Sequence, residues 1–178
     1  MIEMYPTFTH EELIVQWFKR SQKQRVRKFT VFDQFISLWF AFNSWGTYLS
    51  KEDRDTDMFN WIKRNTKLPQ IFEELTKSNP EFISKLQRLS QYEVLDMRPR
   101  HQGESKSISD LHSLDQVLQV IYQIRCNLFH GQKSMIDPHD KELVELAFCI
   151  LSRIFEPIIN QLQTQQTAEL KAGDHFLA

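Results

Sequence analysis

Apolar residues recur at spacings of three and four along most of the 178-residue chain, and no segment sustains strict alternation. That periodicity predicts an all-α fold, a bundle of about five or six helices. The first helix starts after Thr9, with Glu11 and Glu12 in its first turn, where carboxylates suit the helix dipole. Leu13, Ile14, Trp17 and Phe18 form its apolar stripe. A second helix spans roughly 29–49. Phe32, Phe35, Ile36, Trp39, Phe40 and Phe42 make it apolar around most of its circumference, so it should lie at the centre. A third follows Asp55, and shorter pieces cover 69–78 and 80–90. Residues 96–110 are polar and read as a long exposed loop. The next helix starts near Ser109 or Asp110, repeats through Leu111, Leu114, Leu118, Ile121 and Leu128, and stops at Gly131 as a C′ residue. The last begins near Pro138, and Pro157 should kink or restart it. Residues 1–178 read as one domain with a core over about 9–160 and a polar, frayed tail after about 161.

Composition narrows the possibilities. Fourteen phenylalanines and four tryptophans give a heavy aromatic load, whereas the four glycines are scattered. Neither GxGxxG nor GxxxxGK[ST] is present, which removes the common phosphate-loop functions. So few glycines also argue against the tight turns of an all-β protein. Twenty-two basic and 23 acidic residues leave a net charge of −1, so overall charge points to no polyanion partner. Cys126 and Cys149 lie in apolar helical patterns without CxxC spacing, as expected of buried thiols in a reducing cytoplasm. The first residues lack the pattern of a signal peptide, and no apolar run is long enough to span a membrane.

The sharpest chemistry lies in Arg125-Cys126-Asn127-Leu128-Phe129-His130-Gly131. Continuing the stripe Leu111, Leu114, Leu118, Ile121 by four residues reaches Arg125. A permanent charge thus occupies a position patterned for burial, where an unpaired guanidinium is costly. It must meet a carboxylate, or its face must open onto a cleft or a partner subunit. Asn127 and His130, three apart, share a helix face. Arg125 and His130 are roughly 140° apart on a continuing helix, but Gly131 lets the helix stop there. The plain alternative is that both cations simply favour a helix C-terminus.

Arg-x-x-x-x-His on the penultimate helix of an all-α domain of this size resembles the HEPN superfamily. The aromatic segment Phe35-Ile-Ser-Leu-Trp39-Phe-Ala-Phe-Asn43-Ser-Trp45 is similar to the second helix of small bacterial HEPN proteins. The resemblance covers roughly residues 25–155. Many active members place a polar residue directly after the Arg; here that position is Cys126, and Asn127 follows. The resemblance implies a HEPN-like bundle acting as a metal-independent endoribonuclease, with Arg125 and His130 as the catalytic pair. It implies a homodimer whose motifs face one another, and products ending in a 2′,3′-cyclic phosphate and a 5′-hydroxyl. A toxin or phage-defence role follows, with an antitoxin protein as possible partner. The alternative is a non-catalytic HEPN module that binds a nucleotide, a nucleic acid or a protein.

Secondary candidates are weaker. Phe32, Ile36, Trp39 and Asn43 place an amide on a core stripe, either as a hydrogen-bonded core group or as support for Arg125 or His130. Asn127, the polar residue that follows Cys126 in the motif and shares a face with His130, is a supporting candidate. The run 19–28 contains Lys19, Arg20, Lys23, Arg25, Arg27 and Lys28 and no acid. With Arg98 and Arg100 it could track an RNA backbone, or be a solvated surface. The remaining histidines show no metal-site spacing, so no metal and no cofactor are assigned. The aromatic stripes read as core rather than as base-stacking platforms.

Overall fold

Thr9 caps the first helix through a reciprocal pair. Its hydroxyl accepts from the Glu12 N–H at 3.2 Å, and the Glu12 carboxylate accepts from the Thr9 N–H at 2.8 Å. The structure, a computed structural model, describes residues 9–25, 30–97, 101, 103–131 and 136–174. Among these lie seven helices: α1 (His10–Ser21), α2 (Val31–Ser50), α3 (Asp55–Asn65), α4 (Leu68–Ser78), α5 (Pro80–Ser90), α6 (Leu114–Phe129) and α7 (Pro138–Asp174). The all-α class is as expected, with more helices than the five or six counted from the sequence. Two short strands, β1 (Val94–Leu95) and β2 (Ser105–Lys106), pair antiparallel, with Val94 opposite Lys106.

Helix α2 is the centre. Phe35, Leu38, Ala41 and Phe42 are fully buried, and Trp39 nearly so. It packs against α1, α3 and α7, while α4 and α5 cover a further part of α7. Thr30 and Asp33 form its capping box, and Lys51 ends it at φ 60°. The connection from α1 is fastened through Gln34. Its amide nitrogen donates to the carbonyls of Ser21 (3.0 Å) and Lys23 (2.9 Å), and its Oε1 accepts from Arg25 Nε at 2.7 Å. Arg25 also pairs with Glu145 of α7 at 3.1 Å.

Three expectations change. The stretch 96–110 is not one open loop: β2 pairs with β1, and Asp96 and Ile108 are buried. Helix α6 starts at Leu114 with Ser113 as its cap, not at Ser109 or Asp110. The backbone N–H groups of those two residues both donate to Gln116 Oε1 (2.8 and 3.0 Å), which holds them in a turn before the helix. Helix α7 runs through Pro157 and on to Asp174, so the polar tail continues a helix anchored by its apolar first half. Pro157 lies inside it and removes one backbone donor. No helix among the described residues is long and apolar enough to cross a membrane.

Gly46 sits where α2 and α3 approach each other. A Cβ there would lie 2.5 Å from Met58 Sδ and 2.9 Å from its Cγ. Overpacking of this kind costs about 1–3 kcal/mol, more than the ~1 kcal/mol by which alanine favours a helix interior over glycine. Gly46→Ala should therefore lower the urea midpoint, and Gly46→Val should lower it further.

Candidate functional site

The inner face of α6 buries Val117, Leu118, Ile121 and Ile124 in the core. Arg125 follows, and its side chain is 25% exposed. Its guanidinium lies 4.7 Å from the centre of the Phe129 ring, 5.3 Å from that of Trp39 and 5.7 Å from that of Tyr122. Aromatic faces suit guanidinium because it is weakly hydrated and planar. The carboxylate of Asp55, first residue of α3, lies 3.8 Å from Nη1. The charge thus meets both conditions posed by its place on an apolar stripe: a carboxylate partner and a partly open face. Its Nε is buried without a hydrogen-bond partner, as is Trp39 Nε1. The Tyr122 hydroxyl is held well above its ordinary pKa, first by burial and then by Cys126 and Asp55. It stays protonated at neutral pH and is no candidate base.

His130 ends the helix. Its backbone N–H donates to the Cys126 carbonyl at 3.0 Å, and Gly131 N–H donates to Leu128 at 3.0 Å. Gly131 takes φ 70°, a left-handed conformation that suits glycine and turns the chain away. The imidazole is exposed and makes no hydrogen bond or ion pair among the described residues. It lies five positions after Arg125, roughly 7.5 Å along a helix axis.

The other candidates fall in different places. Asn127 is 1% exposed. Its Oδ1 accepts from Met97 N–H (3.3 Å) and Gln123 Nε2 (3.0 Å), and its Nδ2 donates to the Leu95 carbonyl at 2.8 Å. It fastens the strand segment to α6. Asn43 is half-buried on α2, and its Oδ1 is buried with no partner. It lines an open groove of about 730 Å³ with Trp17, Phe40, Ser44, Thr47 and Lys51. Lys19, Arg20 and Lys23 are exposed. Arg25 is engaged by Gln34 and Glu145. Arg27, Lys28, Arg98 and Arg100 lie outside the described residues.

No protein-family model, curated protein or solved structure matches this chain. The chemistry therefore rests on the geometry alone. Two groups bring possible metal ligands together, although the spacing of the histidines gave no sign of it. Asp96, His101 and Glu104 place one ligand atom each within 4.8 Å of one another, as do Asp137, His139 and Asp140. In the second group Asp137 is occupied in capping α7, accepting from the N–H groups of His139 (2.8 Å) and Asp140 (3.1 Å). The residues that sequence reasoning missed are Asp55, Tyr122 and Phe129. Tyr122 and Phe129, three before and four after Arg125, stood at helical-neighbour spacing. Nothing local could have joined Asp55 to it across 70 residues.

Removing the Asn127 amide takes away its hydrogen bonds to Leu95, Met97 and Gln123, each worth about 0.5–1.5 kcal/mol. Asn127→Ala should lower the unfolding midpoint and speed amide exchange at Met97 in hydrogen–deuterium exchange. Unchanged exchange there would mean that the amide does not hold this segment.

Proposed function

We propose that the chain is a metal-independent endoribonuclease of HEPN type, with Arg125 and His130 as its working pair. One observation carries this reading: a guanidinium on an aromatic bed, partly open to solvent, stands five positions before an exposed imidazole at the helix end. Metal-free cleavage of RNA requires a base for the 2′-hydroxyl, an acid for the departing 5′-oxygen and a cation for the phosphorane. Imidazole titrates near neutrality and can move either proton. Guanidinium stays charged and can hold two phosphate oxygens at once. The products are a 2′,3′-cyclic phosphate and a 5′-hydroxyl.

One His130 per chain is few for two proton transfers. A homodimer with the motifs facing each other would supply a second imidazole, and the open face around Phe129 and Phe40 is where a second copy could approach. The role fits a toxin or phage-defence effector, held in check by an antitoxin protein in the cytoplasm.

A second reading has its own support. Asp55 at 3.8 Å offsets part of the Arg125 charge that a phosphate would use. That arrangement suits a non-catalytic module which binds a nucleotide, a nucleic acid or a protein partner.

The deciding experiment incubates RNA with wild type, Arg125→Ala and His130→Ala in the presence of chelator. His130→Ala should slow cleavage by roughly 10²–10⁴-fold, the usual contribution of general acid–base catalysis. Arg125→Ala should be at least as impaired. Equal cleavage by all three proteins, or none by a folded wild type, defeats the catalytic assignment in favour of the binding module. Light scattering should give a dimer at micromolar concentration, and a monomer would exclude a composite site.

A further inference from the structure

Asp55 and Arg125 face each other without completing a hydrogen bond. Their closest atoms, Oδ2 and Nη1, are 3.8 Å apart, about 1 Å longer than a charge-assisted N–H···O bond. Each side chain keeps about a quarter of its surface in solvent, 26% for Asp55 and 25% for Arg125. The pair is a contact between charges with room to open. Among the described residues no other carboxylate lies within 4.0 Å of the guanidinium, whose remaining neighbours are the rings of Trp39, Tyr122 and Phe129.

Asp55 has a second place for its charge. It is the first residue of α3, and Arg54, the residue before it, makes no side-chain hydrogen bond to the start of that helix. The first N–H groups of a helix lack partners within it, and a carboxylate in the first turn is favoured there by the helix dipole. The Tyr122 hydroxyl, which stays protonated, also faces this carboxylate. Arg125 has no such alternative. Its charge is permanent, and aromatic rings attract a cation without neutralising it. Opening the contact therefore leaves Asp55 stabilised by its own helix and leaves Arg125 ready for another anion.

We propose that Asp55 is a displaceable competitor for the substrate phosphate: its carboxylate stands against the Arg125 guanidinium until phosphate oxygens take its place, so that Asp55 limits the affinity of the site. The inference rests on the phosphate-handling role given to Arg125 above. A phosphate can set two oxygens against one guanidinium at hydrogen-bond distance, whereas Asp55 reaches it with one oxygen at 3.8 Å. The incoming group thus makes the better contact, and the departing one keeps the α3 N-terminus. A carboxylate whose only role were to hold Arg125 in position would have the opposite effect, since its loss would weaken binding.

The test uses full-length His130→Ala, so that RNA is bound without turnover, and a fluorescein-labelled single-stranded oligoribonucleotide in anisotropy titrations at fixed salt. Asp55→Asn, added to His130→Ala, should tighten binding roughly two- to fivefold, the range set by one partly exposed ion pair. Asp55→Ser should show the same gain, and Asp55→Glu, which keeps the carboxylate, should bind like its parent. With Arg125→Ala also present, the gain should vanish. Asp57→Asn removes the same charge from the same exposed turn of α3 and should change affinity less. Thermal melts check that each variant is folded. Unchanged or weaker binding by folded Asp55→Asn and Asp55→Ser overturns the proposal, as does absence of binding by every variant. So does a gain that persists without Arg125 or is matched by Asp57→Asn, which would reduce the effect to general repulsion. The two readings fail separately. Cleavage by wild type with no gain in Asp55→Asn removes only the competitor. A gain that needs Arg125, without any cleavage by wild type, removes only the catalytic assignment.

Discussion

Helix α2 buries an unbroken aromatic and aliphatic face, Phe35, Leu38, Trp39, Phe42 and Trp45, and α1, α3 and α7 take their places against it. Trp39 shows how far the constraint reaches. Its ring packs against Phe42, Phe59 and Tyr122, with centroid separations of 6.0–6.2 Å, and so ties α2 to α3 and α6 at one point. The same ring lies 5.3 Å from the Arg125 guanidinium. The core and the bed of the candidate site are one object. Aromatic side chains bury large areas and offer a polarised face as well, which lets one residue serve both purposes.

The charge on Arg125 is stabilised by several modest interactions instead of a tight bidentate salt bridge. Three rings, a carboxylate at 3.8 Å and partial exposure share the work. Nε stays buried, while the side chain as a whole keeps a quarter of its surface in solvent. A fully buried, bidentate partner would have fixed the group and removed it from any ligand. Asp55 sets the balance, since it is close enough to offset the charge and too distant to lock the side chain.

Some of this was legible in single residues. Thr9 with Glu12, and Gly131 after His130, are local signals whose partners lie within a few positions. The structure places the first cap and the helix stop where those signals put them. Ser113 was hidden because Gln116 reaches back to hold Ser109 and Asp110 in a turn, so two good capping residues were passed over. The stretch 96–110 read as an exposed loop, because two-residue strands are too short to show alternation. What holds it is Asn127, 30 or more positions away. The basic run looked uniform, yet Arg25 is drawn out of it by Gln34 and Glu145.

By itself the sequence determined the helical class, the central place of α2 and the position of Arg125 on a stripe meant for burial. These follow from periodicity, which depends only on residues within a few turns of each other. Tertiary structure alone decided that Asp55 meets the guanidinium, that Asn127 serves the strands, and that Trp17, Phe40 and Phe129 line up in solvent. Exposure and pairing depend on which faces of distant helices meet. The composition of one helix does not contain that information, because an apolar ring reads the same whether another helix covers it or not.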